Sequence, residues 1–121
     1  PIELVVMLYD GAIKFLKQGR LAMENHQLYE QNEALQRAQR ILVELLSSLD
    51  LNRGGEVAKN LFALYTYAYN EVIAANVEDS PEKIDHALKV MQDLRESWVQ
   101  LATQPQGNSE EGGSHDLSAA A

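Results

Sequence analysis

Apolar residues recur through residues 1–103 at intervals of three and four, the spacing that places side chains on one face of an α-helix. The pattern breaks at residues 25–27, 52–55 and 77–80. These breaks separate four predicted helices, over residues 2–24, 29–50, 56–76 and 81–103. Helices of this length joined by short turns pack as antiparallel neighbours. We therefore predict an all-α fold, an antiparallel up-down four-helix bundle.

Two of the predicted turns contain residues with known roles at helix ends. Gly54 and Gly55 follow the second helix, and glycine readily adopts the left-handed conformation that helix ends favour. We expect at least one of them to have a positive φ. Ser80 and Pro81 are typical of a helix N-cap followed by a first helical position.

The first and third predicted helices carry more apolar surface than one core face requires, since each has two apolar stripes. We assign one stripe of each to the core, together with the single stripe of the second and fourth helices. The predicted core residues are Val5, Leu8, Ala12, Phe15, Gly19, Ala22, Leu35, Ala38, Ile41, Leu42, Leu45, Leu49, Val57, Leu61, Leu64, Ala68, Val72, Ala75, Ile84, Leu88, Met91, Leu94, Trp98 and Leu101.

The leftover stripes predict a hydrophobic cleft for a protein partner, because tyrosine and other large apolar side chains are favoured at such surfaces. The predicted partner-binding residues are Ile2, Val6, Tyr9, Ile13 and Leu16 in the first helix and Phe62, Tyr65, Tyr69 and Ile73 in the third. Periodicity fixes the faces of a helix but not their neighbours, so the core and cleft stripes could be exchanged.

Two glycines interrupt the first predicted helix, although each costs up to about 1 kcal/mol relative to alanine there. Gly11 and Gly19 indicate a close approach between helices. The alternative is that they leave room for the backbone of a partner.

Residues 104–121 differ in composition from the rest of the chain. They are rich in glycine, serine, glutamine and glutamate and hold almost no large apolar side chain beyond Leu117. Such a segment cannot bury a core. We predict a bundle domain over residues 1–103 and a disordered tail over residues 104–121, dispensable for folding and binding.

Composition and charge exclude several classes of function. The chain has 121 residues, no cysteine and a net charge of −8. Disulfides and cysteine-bound zinc are excluded, and the acidic balance disfavours nucleic acid and anionic membrane surfaces as partners. No apolar run approaches the roughly 20 residues of a membrane span, and no signal peptide is visible. We expect a cytoplasmic protein, and because the chain starts at Pro1 we expect residues before it.

The sequence offers no support for catalysis or for a cofactor. Bundles that bind two metals use Glu-x-x-His on two helices, and this chain has no such motif. Glu82 and His86 stand four residues apart, but we interpret them as an exposed polar pair rather than a metal site. Gly54 and Gly55 lack the further residues of a phosphate-binding loop. We predict a protein that is not an enzyme and that needs neither metal nor cofactor.

Several short elements stand in an order typical of one known family. They are Leu8-Tyr9-Asp10-Gly11-Ala12-Ile13, Leu49-Asp50, Gly54-Gly55-Glu56-Val57-Ala58, Asn60-Leu61, Leu64-Tyr65, Tyr67, Ala75-Asn76, Leu94-Arg95-Glu96 and Trp98. The chain resembles the flagellar secretion chaperone family FliS over about residues 1–103. The most specific part of this likeness runs from Gly54 to Tyr67.

The resemblance implies a helical bundle in the bacterial cytoplasm that binds the disordered C-terminal segment of newly made flagellin. Such binding keeps flagellin from polymerising early and helps deliver it to the flagellar export apparatus. Family members usually carry a further N-terminal segment that can lie over the hydrophobic cleft. The sequence from Pro1 onward does not include that segment, so we expect an exposed cleft, which could pair two copies of the chain.

One alternative belongs to a different class of function. The second stripes of the first and third helices could form the interface of a self-associating structural bundle with no foreign client. A metal-dependent bundle enzyme is the third and least favoured interpretation, and metal analysis of the purified protein distinguishes it.

Overall fold

The chain folds into four α-helices within residues 2–103, which together with Ala120 are the residues that the computed structural model describes. The helices are α1 (Ile2–Glu24), α2 (Leu28–Ser47), α3 (Gly55–Glu78) and α4 (Pro81–Thr103). Each helix packs on the next, and α4 packs back on α1, whereas the diagonal pairs α1–α3 and α2–α4 approach each other far less. The predicted four-helix bundle is confirmed.

The main buried positions of each helix alternate between spacings of three and four residues, the repeat of left-handed bundle packing. In α1 and α3 they are Tyr9, Ala12, Leu16, Gly19 and Met23, and Ala58, Leu61, Tyr65, Ala68, Val72 and Ala75. In α2 and α4 they include Gln31, Leu35, Ala38, Leu42 and Leu45, and Ile84, Ala87, Met91 and Trp98. These side chains meet in one core along the bundle axis.

The buried positions differ from the predicted ones in all four helices, and in α1 and α3 Tyr9 and Tyr65 of the predicted cleft stripes belong to the core. The residues predicted as core that are half-buried or exposed in the structure are Val5, Leu8, Phe15, Ile41, Leu49, Val57, Leu64, Leu94 and Leu101. All of these except Leu64 still pack against the core from its edge. The reason is that apolar side chains cover a wide arc of α1 and α3, and a wide arc does not define which direction points inward.

The glycines of α1 face α2 at close range. A Cβ atom added at Gly19 would lie 2.5 Å from Cδ2 and 2.8 Å from Cγ of Leu35, and one added at Gly11 would lie 3.0 Å from Cδ1 of Ile41. The predicted close helix approach is confirmed, and the alternative that these glycines accommodate a partner's backbone is wrong at these two positions.

We expect Gly19→Ala to lower the free energy of unfolding by about 1–3 kcal/mol, because Leu35 is fully buried and cannot move aside without strain in the core. Gly11→Ala is the matched control. There only the tip of the half-buried Ile41 must shift, and the gain in helix propensity of about 1 kcal/mol offsets this cost. Urea denaturation of both variants checks the difference, and equal losses of stability would contradict the close contact at Gly19.

The turn between α2 and α3 is longer than predicted, because α2 ends at Ser47. Asp50 holds this turn, since its carboxylate accepts the backbone N–H groups of Asn52 and Arg53 at 3.1 and 2.9 Å. Gly55 has φ +54°, which confirms the expected left-handed glycine, whereas Gly54 has φ −78° and is buried.

The opposite end of the bundle is held by polar side chains. Gln31 is buried, and its amide donates to Oδ1 of Asn76 at 3.0 Å and to Oδ1 of Asp79 at 2.9 Å. Asp79 ends α3 in the left-handed conformation with φ 53°, and the Ser80 hydroxyl accepts the backbone N–H of Lys83, as expected of an N-cap. The two Gln31 bonds hold the N-terminal end of α2 against the turn between α3 and α4.

The predicted disordered tail falls almost wholly outside the described residues. Only Ala120 is described, and it lies buried against the turn between α2 and α3.

Candidate functional site

The nine residues predicted to bind a partner are found in three different environments. Tyr9, Leu16 and Tyr65 have side chains with 0, 0 and 1% of their surface exposed, so they belong to the core and not to a surface cleft. This corrects the prediction for these three residues. The others are half-buried or exposed: Ile2, Val6, Ile13, Phe62, Tyr69 and Ile73.

The buried tyrosines form a hydrogen-bonded cluster with the tryptophan of α4. The Trp98 indole N–H donates to the Tyr9 hydroxyl at 2.8 Å, and the Tyr9 and Tyr65 hydroxyls share a hydrogen bond across the diagonal of the bundle. The Tyr9 ring lies 6.2 Å from the Tyr65 ring and 6.3 Å from that of Trp98, both tilted. Three polar groups are thus satisfied inside an apolar core, which removes the usual cost of burying them.

This cluster is structural rather than reactive. Burial raises the pKa of Tyr9 far above its ordinary value, and the neighbouring Tyr65 phenol raises it further. Burial also raises the pKa of Tyr65 to about 12. Both phenols therefore stay protonated at neutral pH. Their hydroxyls can keep the hydrogen bonds that join α1, α3 and α4.

The topology separates the two predicted stripes. Because α1 and α3 are diagonal partners, the core lies between them, and their outer residues cannot flank one surface cleft. The α1 residues Ile2, Val6 and Ile13 lie on the flank that carries Asp10 and Arg20. Those two residues bond to α4, so this flank forms the α1–α4 seam. The prediction of a single cleft between the α1 and α3 stripes is wrong.

Ion pairs cross the α1–α4 seam on both sides of Ile13. Arg20 contacts the Asp85 carboxylate with two nitrogens at 2.6 and 2.9 Å, and Arg95 donates to Asp10. The Arg20 guanidinium lowers the pKa of Asp85 below its usual value. Solvent screens these pairs, because their side chains are at least one-third exposed, so they contribute to the register of α1 against α4 more than to the stability of the bundle.

The remaining α3 residues lie on a different surface, the groove between α2 and α3. Tyr69 lines this groove together with Val43, Gln36, Gln39 and Arg40 of α2. Phe62 and Ile73 stand seven residues before and four residues after Tyr69, so they share its flank of α3. Their side chains are 47 and 36% exposed. We call this surface, with Val43 and Tyr69 in the groove and Phe62 and Ile73 on the same flank of α3, the α2–α3 groove.

The groove is lined by both apolar and polar side chains. Gln36, Gln39 and Arg40 border it on α2, and at its far end the Asn76 amide donates to Oδ1 of Asn32 at 2.9 Å, which closes the two helices together. An amphipathic helix or an extended apolar segment fits such a surface, since its apolar side chains can meet the apolar residues and its polar side the polar residues. The sequence reasoning missed Val43, because α2 was assigned a single core stripe.

Apolar side chains are also exposed on the other flank of α3. Leu64 and Tyr67 are 38 and 45% exposed. Glu71 lies on the same flank, and its carboxylate shares a hydrogen bond of 2.6 Å with Nδ1 of His86 in α4. His86 thus pairs with Glu71, although the sequence suggested Glu82. Helix α3 therefore presents apolar surface on both sides of its core face.

Two properties of the described residues bear on other classes of function. Within residues 2–103 and Ala120, no group of three or more histidine, cysteine, aspartate or glutamate side chains is arranged to hold a metal ion. None of the helices found in that part of the chain is both long enough and apolar enough to cross a membrane.

Comparison with known proteins decides the family. The family model described as "Flagellar protein FliS" matches residues 1–105. The chain belongs to the FliS family. It is similar to the flagellar secretion chaperone FliS of Vibrio cholerae, with 34% identity over 101 residues that cover 84% of this chain and 74% of the relative. It is also similar to the protein of the same name from Campylobacter jejuni, with 33% identity over 84% of this chain and 79% of the relative. A third similar protein of that name, from Bacillus subtilis, is 34% identical over 83% of this chain and 74% of the relative.

Membership of the FliS family confirms the resemblance seen in the sequence. The matched region holds all four helices and therefore both the buried Tyr9–Tyr65–Trp98 cluster and the α2–α3 groove. A family of chaperones also favours a protein that binds a client over one that catalyses a reaction.

Proposed function

We propose that this protein is a flagellar export chaperone that binds the disordered C-terminal segment of flagellin. Its relatives from three bacteria are named flagellar secretion chaperones, and their similarity extends over the whole bundle. Within this chain, the observation that carries the proposal is the exposed apolar flank of α3 above a fully packed core. A folded bundle gains nothing from exposing Phe62 and Ile73 to water, so we infer that a client covers them.

We assign the client to the α2–α3 groove. Val43, Phe62, Tyr69 and Ile73 provide the apolar anchors, and the amide and guanidinium groups of α2 provide a polar rim. A docked amphipathic helix presents anchors at spacings of three, four and seven residues, which match the spacing of Phe62, Tyr69 and Ile73. The half-buried Ile2, Val6 and Ile13 of the α1–α4 seam remain a separate, second candidate surface.

Binding of this kind follows from general physical chemistry. A disordered segment that folds on docking gains buried apolar area and loses conformational entropy, so it binds with moderate affinity and can be released. While it is docked, its own apolar face is unavailable for contacts with other flagellin molecules. This explains how the chaperone prevents premature polymerisation in the cytosol without a nucleotide, metal or other cofactor, before the client reaches the export apparatus.

The test is a titration with a synthetic flagellin C-terminal peptide, followed by calorimetry. We expect Phe62→Ser with Ile73→Ser to weaken binding by at least about 10-fold, equivalent to about 1.4 kcal/mol. Both side chains are partly exposed, so the double variant should keep its helical circular dichroism.

Two further variants locate the surface. Leu21→Ser with Tyr29→Ser removes a more exposed apolar pair from the α1–α2 side and should leave the affinity unchanged. Ile13→Ser tests the α1–α4 seam. Loss of binding in the Ile13 variant alone would move the client to that seam, and binding that survives in all three folded variants would exclude both surfaces.

Self-association is the competing use of the same groove. Sedimentation of the free protein distinguishes it, because a client groove leaves a monomer or weak dimer that dissociates when peptide is added. An obligate oligomer that does not respond to the peptide would support the structural bundle instead.

A further inference from the structure

Ala120 contacts the turn between α2 and α3 at a specific point. Ala120 is fully buried, and its carbonyl oxygen accepts the backbone N–H of Asp50 at 3.0 Å. Its Cα lies 2.8 Å from the position that a Cβ on Gly54 would occupy. We propose that the turn carries a docking site for Ala120, a residue that follows the bundle in the sequence. This inference does not depend on the proposed function.

The Asp50 N–H has no hydrogen-bond acceptor within the turn itself. Asp50 follows the end of α2, and its N–H group has left the α-helical hydrogen-bonding pattern, so it needs an acceptor from elsewhere. The Ala120 carbonyl supplies it. The Asp50 carbonyl is used separately, since it accepts the N–H of Gly54 at 2.8 Å. The Asp50 N–H is therefore the backbone group whose hydrogen bond depends on Ala120.

The shape of the site explains why small residues occupy it. Gly54 is buried although its φ of −78° suits any residue, so its lack of a side chain is a matter of space and not of backbone conformation. Ala58 closes the other side, at 2.5 Å from the same hypothetical Cβ. A glycine and an alanine thus leave a notch that a methyl side chain fills, and Ala120 joins the buried core cluster there.

Hydrogen exchange of single amides in the full-length chain tests this contact. We expect Ala120→Trp, which does not fit the notch, to speed exchange of the Asp50 amide by at least about 10-fold. Ala120→Gly keeps the carbonyl and fits the space, so it should preserve most of the protection. The Ser48 and Gly54 amides, which bond to Glu44 and Asp50, serve as internal references and should change little.

Ala63→Trp controls for adding a large apolar side chain, because Ala63 is exposed on α3. It should leave Asp50 protected. Equal exchange of the Asp50 amide in the parent and both Ala120 variants would overturn the proposal, as would uniform acceleration over all four helices, which indicates global destabilisation. Protection that rises with protein concentration would also overturn it, because the carbonyl would then come from a second copy of the chain.

Discussion

Trp98→Ala is expected to lower the free energy of unfolding by about 3–5 kcal/mol, the loss typical of deleting a large buried aromatic side chain. Trp98 is fully buried and is the largest side chain of the core. Its removal also leaves the Tyr9 hydroxyl without one of its two partners. Since small domains are stable by only about 5–15 kcal/mol, this variant approaches the limit of folding.

Smaller changes in the same cluster separate packing from hydrogen bonding. Tyr9→Phe removes the acceptor of the Trp98 N–H and should cost about 1–3 kcal/mol, the penalty for an unsatisfied buried donor. Tyr65→Phe leaves that bond intact, so its cost should be about 1 kcal/mol. Urea denaturation followed by circular dichroism measures all three variants. Equal losses for Tyr9→Phe and Tyr65→Phe would show that Tyr9 is not the central member of the cluster.

Gly54→Val is expected to cost about 3 kcal/mol, near the upper end of the range for overpacked cores. The added Cβ would lie 2.5 Å from the Ala58 side chain and 2.7 Å from the Asp50 carbonyl oxygen, and a backbone atom cannot rotate away. Thermal and urea denaturation give the loss of stability. A variant as stable as the parent would mean that the turn repacks without cost.

Gly55 provides the contrast within the same turn. No described atom lies within 4 Å of a Cβ added there, so only its φ of +54° resists substitution. We expect Gly55→Val to cost about 1–2 kcal/mol and Gly55→Asn to recover most of this, because asparagine tolerates the left-handed region. Asparagine at position 54 should bring no such recovery, since its Cβ meets the same atoms as that of valine.

The sequence was sufficient to predict the helices, because breaks such as 25–27 and the Ser80–Pro81 cap are local signals. Helices α1 and α4 begin and end where the pattern predicts, and α2 and α3 differ by at most three residues at an end. The orientation of α1 and α3 in the core was not predictable in this way. Their apolar residues cover so wide an arc that Tyr9 and Tyr65 seemed to belong to the surface.

Only the neighbouring helices resolve that ambiguity. A tyrosine in isolation favours a seam or an interface because its hydroxyl needs a partner. Here the partners lie 56 and 89 residues away along the chain, in Tyr65 and Trp98, and no local pattern reports contacts of that range. Phe62, Tyr69 and Ile73 share one flank of α3, whereas Ile2, Val6 and Ile13 lie on the α1–α4 seam, and the role of these residues in binding stays a prediction.

The buried cluster also gives the protein an intrinsic fluorescent probe of its interior. Trp98 is the single tryptophan of the chain, and it is sealed between Tyr9 and the bundle core. Its fluorescence emission therefore senses water entering the interior and little that happens on the outer surface. A client that docks in the α2–α3 groove should leave the wavelength of the Trp98 emission maximum unchanged. A client that separates the helices should shift this maximum to longer wavelength. A single unlabelled fluorophore can thus distinguish docking on a rigid bundle from binding that opens it.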